Sequence, residues 1–300
     1  MISVIIPCYN AEKYIGEAID SVLSQSKKVD EIVVVDDCST DNTVSILRNY
    51  PVKVLSTEKN SGHALARNIG IAAVRGDLIA WLDADDVWDP DHCETVIGLL
   101  ERHPSADVAF SGVRFFGSRS GTWYFSEAED QPLNMFNYCF ERTIVPANSV
   151  ITRAAAVKKL GGFNKDIRIA PDFDFWLRFS VRSLFVNTKK ITVSYRWHDN
   201  QISKDPFAQF ESLYKSRIKF IEKNGNNVDV GSVNVNVVDL FVRILNKDLI
   251  SSWYSRDLRK FSYLINISKY MGVYKDIVFK YRLYKNIPKK LIKLYDGYFS

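Results

Sequence analysis

Three carboxylates, Asp83, Asp85 and Asp86, follow directly on the apolar run Leu78-Ile79-Ala80-Trp81-Leu82. Acids crowded at the end of a buried strand repel one another unless a cation sits among them. A divalent ion such as Mg2+ or Mn2+ suits the place. It takes oxygen ligands from one or two carboxylates and keeps its other positions for phosphates. Asp83 and Asp85 are two residues apart, so on an extended segment both point to the same side. An ion held there would act as a Lewis acid on a phosphate-bearing leaving group. The competing assignment is a capping turn before "PDHCETVIGLL". It suits Asp89 but leaves Asp83 and Asp85 crowded without cause.

A second acid pair, Asp36 and Asp37, ends the apolar run "EIVVVDD". In a dinucleotide-binding fold an acid at this place grips a ribose hydroxyl. Alternatively, one of the two caps the helical stretch "TDNTVSILRN". Further on, Gly62 permits close backbone approach, and a helix start at that point favours anions. Arg67 is either a contact to base or phosphates or a structural tie between loops. His63 is expected at the surface.

The elements that must position these residues alternate through the first hundred positions. "ISVIIP", "EIVVVDD", "VKVLS" and "DLIAWLD" read as strands. Between them, "AEKYIGEAIDSVLSQ", "STDNTVSILRNY" and "SGHALARNIGIAAVRG" read as helices, the first with Tyr14, Ile15, Ala18, Ile19, Val22 and Leu23 on its apolar face. Strands without polar alternation imply an α/β sheet covered on both faces, with right-handed parallel crossovers. Ligands bind beyond the carboxyl ends of such strands, so "PCYN", "DDCSTD" and "DADD" should meet at one rim. Later, "ADVAFSGVRFFG", "GTWYF", "NSVITR" and "KKITVSYRWH" read as strands, and "RAAAVKKLGGF" and "DFDFWLRFSVR" as helices. The Asn- and Gly-rich stretch "KNGNNVDVGSVNVN" is read as a linker or a domain boundary. The expected division is a catalytic domain over 1–224, with a nucleotide half (1–106) and an acceptor half (107–224), and a helical, basic region over 225–300.

Five stretches in this order and spacing, "SVIIPCYNAEKYIGEAIDSVLSQ", "EIVVVDDCSTDNT", "NSGHALARNIGI", "LIAWLDADDVWDP" and "DFDFWLR", resemble glycosyltransferase family 2 over roughly residues 1–220. The resemblance implies a GT-A fold: a Rossmann-like, mostly parallel central sheet with flanking helices, here with a helical C-terminal extension. It implies a nucleotide-sugar donor and a glycan, glycolipid or glycoprotein acceptor, in surface polysaccharide or related glycan assembly. Asp85 would bind Mn2+ or Mg2+ directly, and Asp83, with Ala84 beside it, would face the ribose or sugar. Asp37, with Asp36 as the alternative, would accept a ring N–H of the base; uracil offers one at N3, and so does thymine. Pro7, Tyr9, Asn10 and Glu12 would wall the base. Asp172 falls on the family's catalytic base, with Pro171 in place of the usual Glu and Ala170 in place of the usual Gly. Pro is comfortable in a first helical turn, but the Glu's contact with the acceptor is lost. Asp174 lies two residues further on, about 200° around the helix, and cannot face the same site. His198, just past the strand "SYRWH", would approach the metal or diphosphate. Processive relatives carry Gln-x-x-Arg-Trp, where Gln would fall at Val193; its absence implies single transfer.

Composition agrees with an ordinary globular protein: 46% hydrophobic and 25% charged residues. No apolar run approaches the roughly 20 residues that span a bilayer. "MISVIIPCYN" lacks a basic leader region and a small-residue cleavage site. Cys8, Cys38, Cys93 and Cys139 have no metal-binding spacing and read as reduced thiols of a cytoplasmic protein. Residues 275–300 hold seven basic and two acidic side chains, which accounts for the chain's net +5. That segment either lies on an anionic leaflet, making the protein peripheral at the inner face of the membrane, or is a solvated tail. No nucleic-acid-binding module is present. Two other classes are weighed. A nicotinamide-dependent oxidoreductase needs Gly-x-Gly-x-x-Gly after the first strand, which "PCYNAEKYIG" lacks. A sugar-nucleotide binder without full catalysis stays open because Pro171 breaks the acid pair.

Overall fold

A computed structural model describes residues 1–198 and 205–273. The basic segment 275–300 lies outside the described residues. The chain divides into two compact units: residues 1–223 with 229–234, and residues 224–228 with those from 235 onward.

The first unit opens with β1 (Ile2–Cys8), α1 (Ile15–Leu23), β2 (Glu31–Asp36), α2 (Thr43–Leu47), β3 (Lys53–Ser56), α3 (His63–Ala73) and β4 (Leu78–Trp81). β1 is buried along its whole length, and β2 from Ile32 onward. Both are rich in β-branched residues, which pack well on a pleated surface covered from both sides. β2 and β4 each run parallel to β1, with Cys8 opposite Asp36 at the carboxyl end. After β5 (Val87–Trp88) and α4 (His92–Arg102) come β6 (Ala106–Gly117), β7 (Gly121–Trp123), α5 (Phe136–Glu141), β8 (Val150–Arg153), α6 (Ala154–Leu160), α7 (Pro171–Ser180), β9 (Leu184–Trp197) and α8 (Pro206–Asn224).

Among the described residues the main sheet has nine strands in the order β3-β2-β1-β4-β8-β6-β9-β5, with β7 paired to β6. The half from β3 to β4 is parallel. β8 is antiparallel to both β4 and β6, and β9 returns parallel to β6. One face packs against α1 and α4 through residues such as Ile15, Ile19, Val96 and Leu100. The other packs against α3, α6 and α7 through Ile71, Val157, Phe175 and Phe179. The expected α/β class is observed.

Three local features depart from the sequence reading. Tyr14, placed on the core face of the first helix, is instead the residue before α1, and its ring covers Arg196 and His198. An aromatic ring can cover a cation as well as fill a core, so periodicity alone misassigns it. The stretch read as a linker or boundary does hold the division between the two units, but it is not irregular: it forms β10 (Asn227–Val230) and β11 (Val233–Asn236), joined at Gly231 with φ +60°. α5 and α8 carry no separate sequence signal, yet Arg217 of α8 is buried and donates to the carbonyl oxygen of Phe140 at 2.7 Å, closing the end of α5.

The second unit contains α9 (Val237–Tyr254) and α10 (Leu258–Tyr270). Asn236 caps α9 by accepting the N–H groups of Val238 and Asp239, and Asp257 caps α10 by accepting that of Lys260. Among the described residues no helix is long and apolar enough to cross a membrane.

Candidate active site

Because β1, β2 and β4 are parallel, the loops after them meet at one rim. Asn10, in the left-handed region at φ +48°, donates its N–H to Ser39 Oγ at 2.8 Å and accepts from Thr40 N at 2.8 Å. Glu12 accepts from Asn42 N and Nδ2 at 3.0 and 2.9 Å. Both side chains thus tie the loop after β1 to the loop after β2. Pro7 is buried within β1, whereas Tyr9 is exposed on the lip.

The acids after β2 separate in role. Asp36 is buried, accepting the Ser39 N–H at 3.3 Å and facing the Cys8 thiol at 3.9 Å. Asp37 accepts from Thr57 Oγ1 at 2.8 Å, Ser61 N at 3.0 Å and Gly62 N at 2.6 Å. Ser61 N also lies 3.1 Å from the second carboxylate oxygen, so these donors engage both oxygens of Asp37. Neither acid caps α2: its N-cap position is Asn42, whose side chain makes no capping bond, and the preceding Asp41 accepts from Thr43 N and Oγ1 at 3.0 and 2.6 Å.

Gly62, at φ +90°, opens α3. Further along α3, Arg67 is buried and donates to Asp83 Oδ1 at 2.6 Å, with its guanidinium 5.3 Å from the Phe163 ring centre. Of the two readings of Arg67, the tie between loops is the contact formed. His63 does not lie on the open surface. It is half-buried one turn before Arg67, and burial, then Arg67, lower its pKa while Asp83, Asp85 and Asp37 oppose the shift. A polar residue at a helix start carried no periodic signal to show this.

At the end of β4, Ala84 is buried, and Asp85 Oδ2 lies 2.9 Å from His198 Nε2. Arg196 delivers this pair. Its backbone N–H is accepted by Asp86 at 2.7 Å, its Nε donates to the Asp85 carbonyl at 2.8 Å, and its guanidinium pairs with Glu17 between the rings of Tyr14 and Phe116. Asp86 also accepts from Asn148 Nδ2; burial, then Asp85 and Asp83, push its carboxyl well above the ordinary range. Asp86 therefore clamps the end of β9 rather than facing a ligand. Among the described residues no group of three or more His, Cys, Asp or Glu side chains converges on one point. A carboxylate and an imidazole side by side still fit Mn2+ or Mg2+, which keep most positions for phosphate and water oxygens.

Asp172 stands in the first turn of α7, after Ala170 in the left-handed region (φ +49°, ψ +51°) and Pro171 at the first helical position. It is half-buried. Burial raises its pKa, Arg67 pulls it down, and Asp83 raises it again, so Asp172 lies within electrostatic reach of the Arg67–Asp83 pair. Asp174 is turned inward, where Arg178 Nε donates to it at 2.8 Å. The first-half rim thus holds the carboxylate of Asp37 and the Asp85–His198 pair, with the carboxylate of Asp172 within electrostatic reach of Asp83.

The protein-family model for glycosyl transferase family 2 matches residues 3–161, more than half of the chain. The chain belongs to glycosyltransferase family 2. An uncharacterised glycosyltransferase of Rickettsia typhi is 28% identical over 84% of this chain and 82% of its own length. Bacillus subtilis TuaG, named for teichuronic acid biosynthesis, is 42% identical over 37% of this chain and 46% of its own. Among solved structures, S. aureus TarS in complex with UDP-GlcNAc superposes with TM-score 0.64 at 18% identity, covering 90% of this chain and 92% of that one. The mannosyltransferase PcManGT from Pyrobaculum calidifontis, in complex with GDP-Man and Mn2+, gives 0.58 at 19% identity, covering 74% and 64%. These structures share the GT-A fold, and the protein is a glycosyltransferase.

Sequence reasoning missed four residues of this family 2 site. Tyr14 just before α1, Glu17 in α1 and Arg196 in β9 set the Asp85–His198 pair. Tyr195 is the fourth: burial, then Asp86, Asp83, Asp85 and Asp172, push its phenol far above the ordinary range. The one available signal was the density of polar and aromatic residues in "SYRWH", where a buried strand would be apolar.

Proposed function

We propose that the enzyme moves a sugar from a uridine diphosphate donor to a hydroxyl of a glycan, glycolipid or glycoprotein acceptor, with inversion at the anomeric carbon. The observation that carries the reading is Asp172, half-buried in the first turn of α7 within electrostatic reach of Arg67 and Asp83, with its proton affinity raised by burial. A base is most useful when its pKa approaches the working pH.

In this mechanism Asp37 accepts the base N–H, with Tyr9 and Pro7 beside the ring. Asn10 and Glu12 hold the loop that carries Tyr9. Asp83, oriented by Arg67, faces the ribose or sugar. Asp85 and His198 are the residues that would hold Mn2+ or Mg2+, which when bound neutralises charge on the departing diphosphate. Asp172 takes the proton of the acceptor hydroxyl as its oxygen bonds to the anomeric carbon. The bond from that carbon to the diphosphate oxygen breaks, and the nucleoside diphosphate leaves. One displacement inverts the centre.

A thermal-shift panel of nucleotide sugars with Mn2+ tests the donor. A true donor raises the melting temperature by mass action, so a UDP-sugar is expected to do so, and Asp85→Ala to remove the manganese-dependent part. No shift with any nucleotide sugar would contradict the reading.

A further inference from the structure

We infer that His63 is a second reader of the donor's base, donating a ring N–H to the carbonyl that flanks the N–H accepted by Asp37. The inference rests on the donor site proposed above and deepens it. Position carries it first. The N–H of Gly62 is held by Asp37 at 2.6 Å, so the backbone of His63 is anchored beside that carboxylate. Arg67 lies four residues on, hence on the same helix face, and its guanidinium reaches Asp83 after β4. The face bearing His63 therefore looks across the end of β1, between the ends of β2 and β4. Open α/β sheets bind ligands at that crevice.

Its hydrogen-bonding state carries it second. The ring is half-buried, among the described residues neither of its nitrogens has a hydrogen-bond partner, and neither is closed off from solvent, so both are open to a ligand. Burial and Arg67 favour the neutral ring, which has one N–H and one lone pair. A neutral donor suits a carbonyl better than a diphosphate. Asp37 and His63 together form an acceptor beside a donor, the complement of an N–H beside a C=O. Uracil and thymine present that edge at N3 and O4. Guanine presents it at N1 and O6. Cytosine presents a bare N3 beside an amino group and is mismatched.

Calorimetric titration of the full chain with UDP, GDP and CDP in the presence of Mn2+ tests this, using wild type, His63→Leu and His63→Gln. The wild type is expected to bind UDP more tightly than CDP. His63→Leu should cut that preference about tenfold, the effect of one lost hydrogen bond, and His63→Gln, which keeps an N–H, should retain most of it. GDP bound as tightly as UDP, and weakened by the same Leu substitution, would support the shared edge with guanine as its occupant. An undiminished preference in His63→Leu, with wild type still binding UDP, overturns the role of His63 and leaves the donor site standing. Failure of the wild type to bind UDP or GDP overturns both.

Discussion

Asp172 illustrates how one side chain serves reaction at the expense of stability. Burial makes its carboxyl hold a proton more tightly in the folded chain than in the unfolded one. For an acid shifted upward, stability is lost as pH rises from the unfolded pKa through the folded one. Asp172→Asn should therefore raise the melting temperature at neutral pH and leave it nearly unchanged at about pH 3, where the carboxyl is protonated in both states. The same shift sets the rate: the base works only when ionised, so the acidic limb of the transfer profile should fall above the range of an ordinary carboxylate. Equal melting temperatures at neutral pH would contradict the burial argument. At this scale the acids were legible in the sequence because their spacing announces a charge to be neutralised. His63 was not, because half-burial of a polar side chain leaves no periodic trace.

Elements deliver these side chains, and α7 is the instructive one. Its apolar residues Phe173, Phe175, Trp176, Leu177 and Phe179 are buried and fix the helix, so Asp172 projects from a rigid base. The cost falls on Ala170, a residue with a Cβ held in the left-handed region. Such a conformation costs about 1–2 kcal/mol outside glycine. Ala170→Gly should relieve it and stabilise the protein by about 1 kcal/mol, the gain being trimmed by the greater freedom of glycine in the unfolded chain. Chemical denaturation measures it, and a loss of stability would show that Ala170 is not strained. The parallel strands and their helices were legible because apolar runs and 3.6-residue spacing dictate them. Tyr14 was misplaced because the spacing records that it is apolar, not that Arg196 and His198 lie under its ring. The turn at Gly231 turned a presumed linker into two strands because its glycine takes φ +60°, which composition alone does not reveal.

For the whole molecule, the sequence predicted the rim before the sheet order was known, since parallel strands place their carboxyl ends together. What it left open is where the basic segment 275–300 acts. If that segment binds an anionic leaflet, flotation with anionic vesicles should recover the full chain and lose the chain lacking 275–300; equal recovery would remove the anchor. The central claim is that the rim binds a nucleotide sugar and that Asp172 alone supplies the base. The most direct test pairs donor affinity with turnover in Asp172→Asn, using the donor found in the thermal-shift panel. The account predicts unchanged donor affinity and a loss of transfer, read as nucleoside diphosphate release, of about 100- to 10,000-fold. Transfer at the wild-type rate with donor still bound would contradict it.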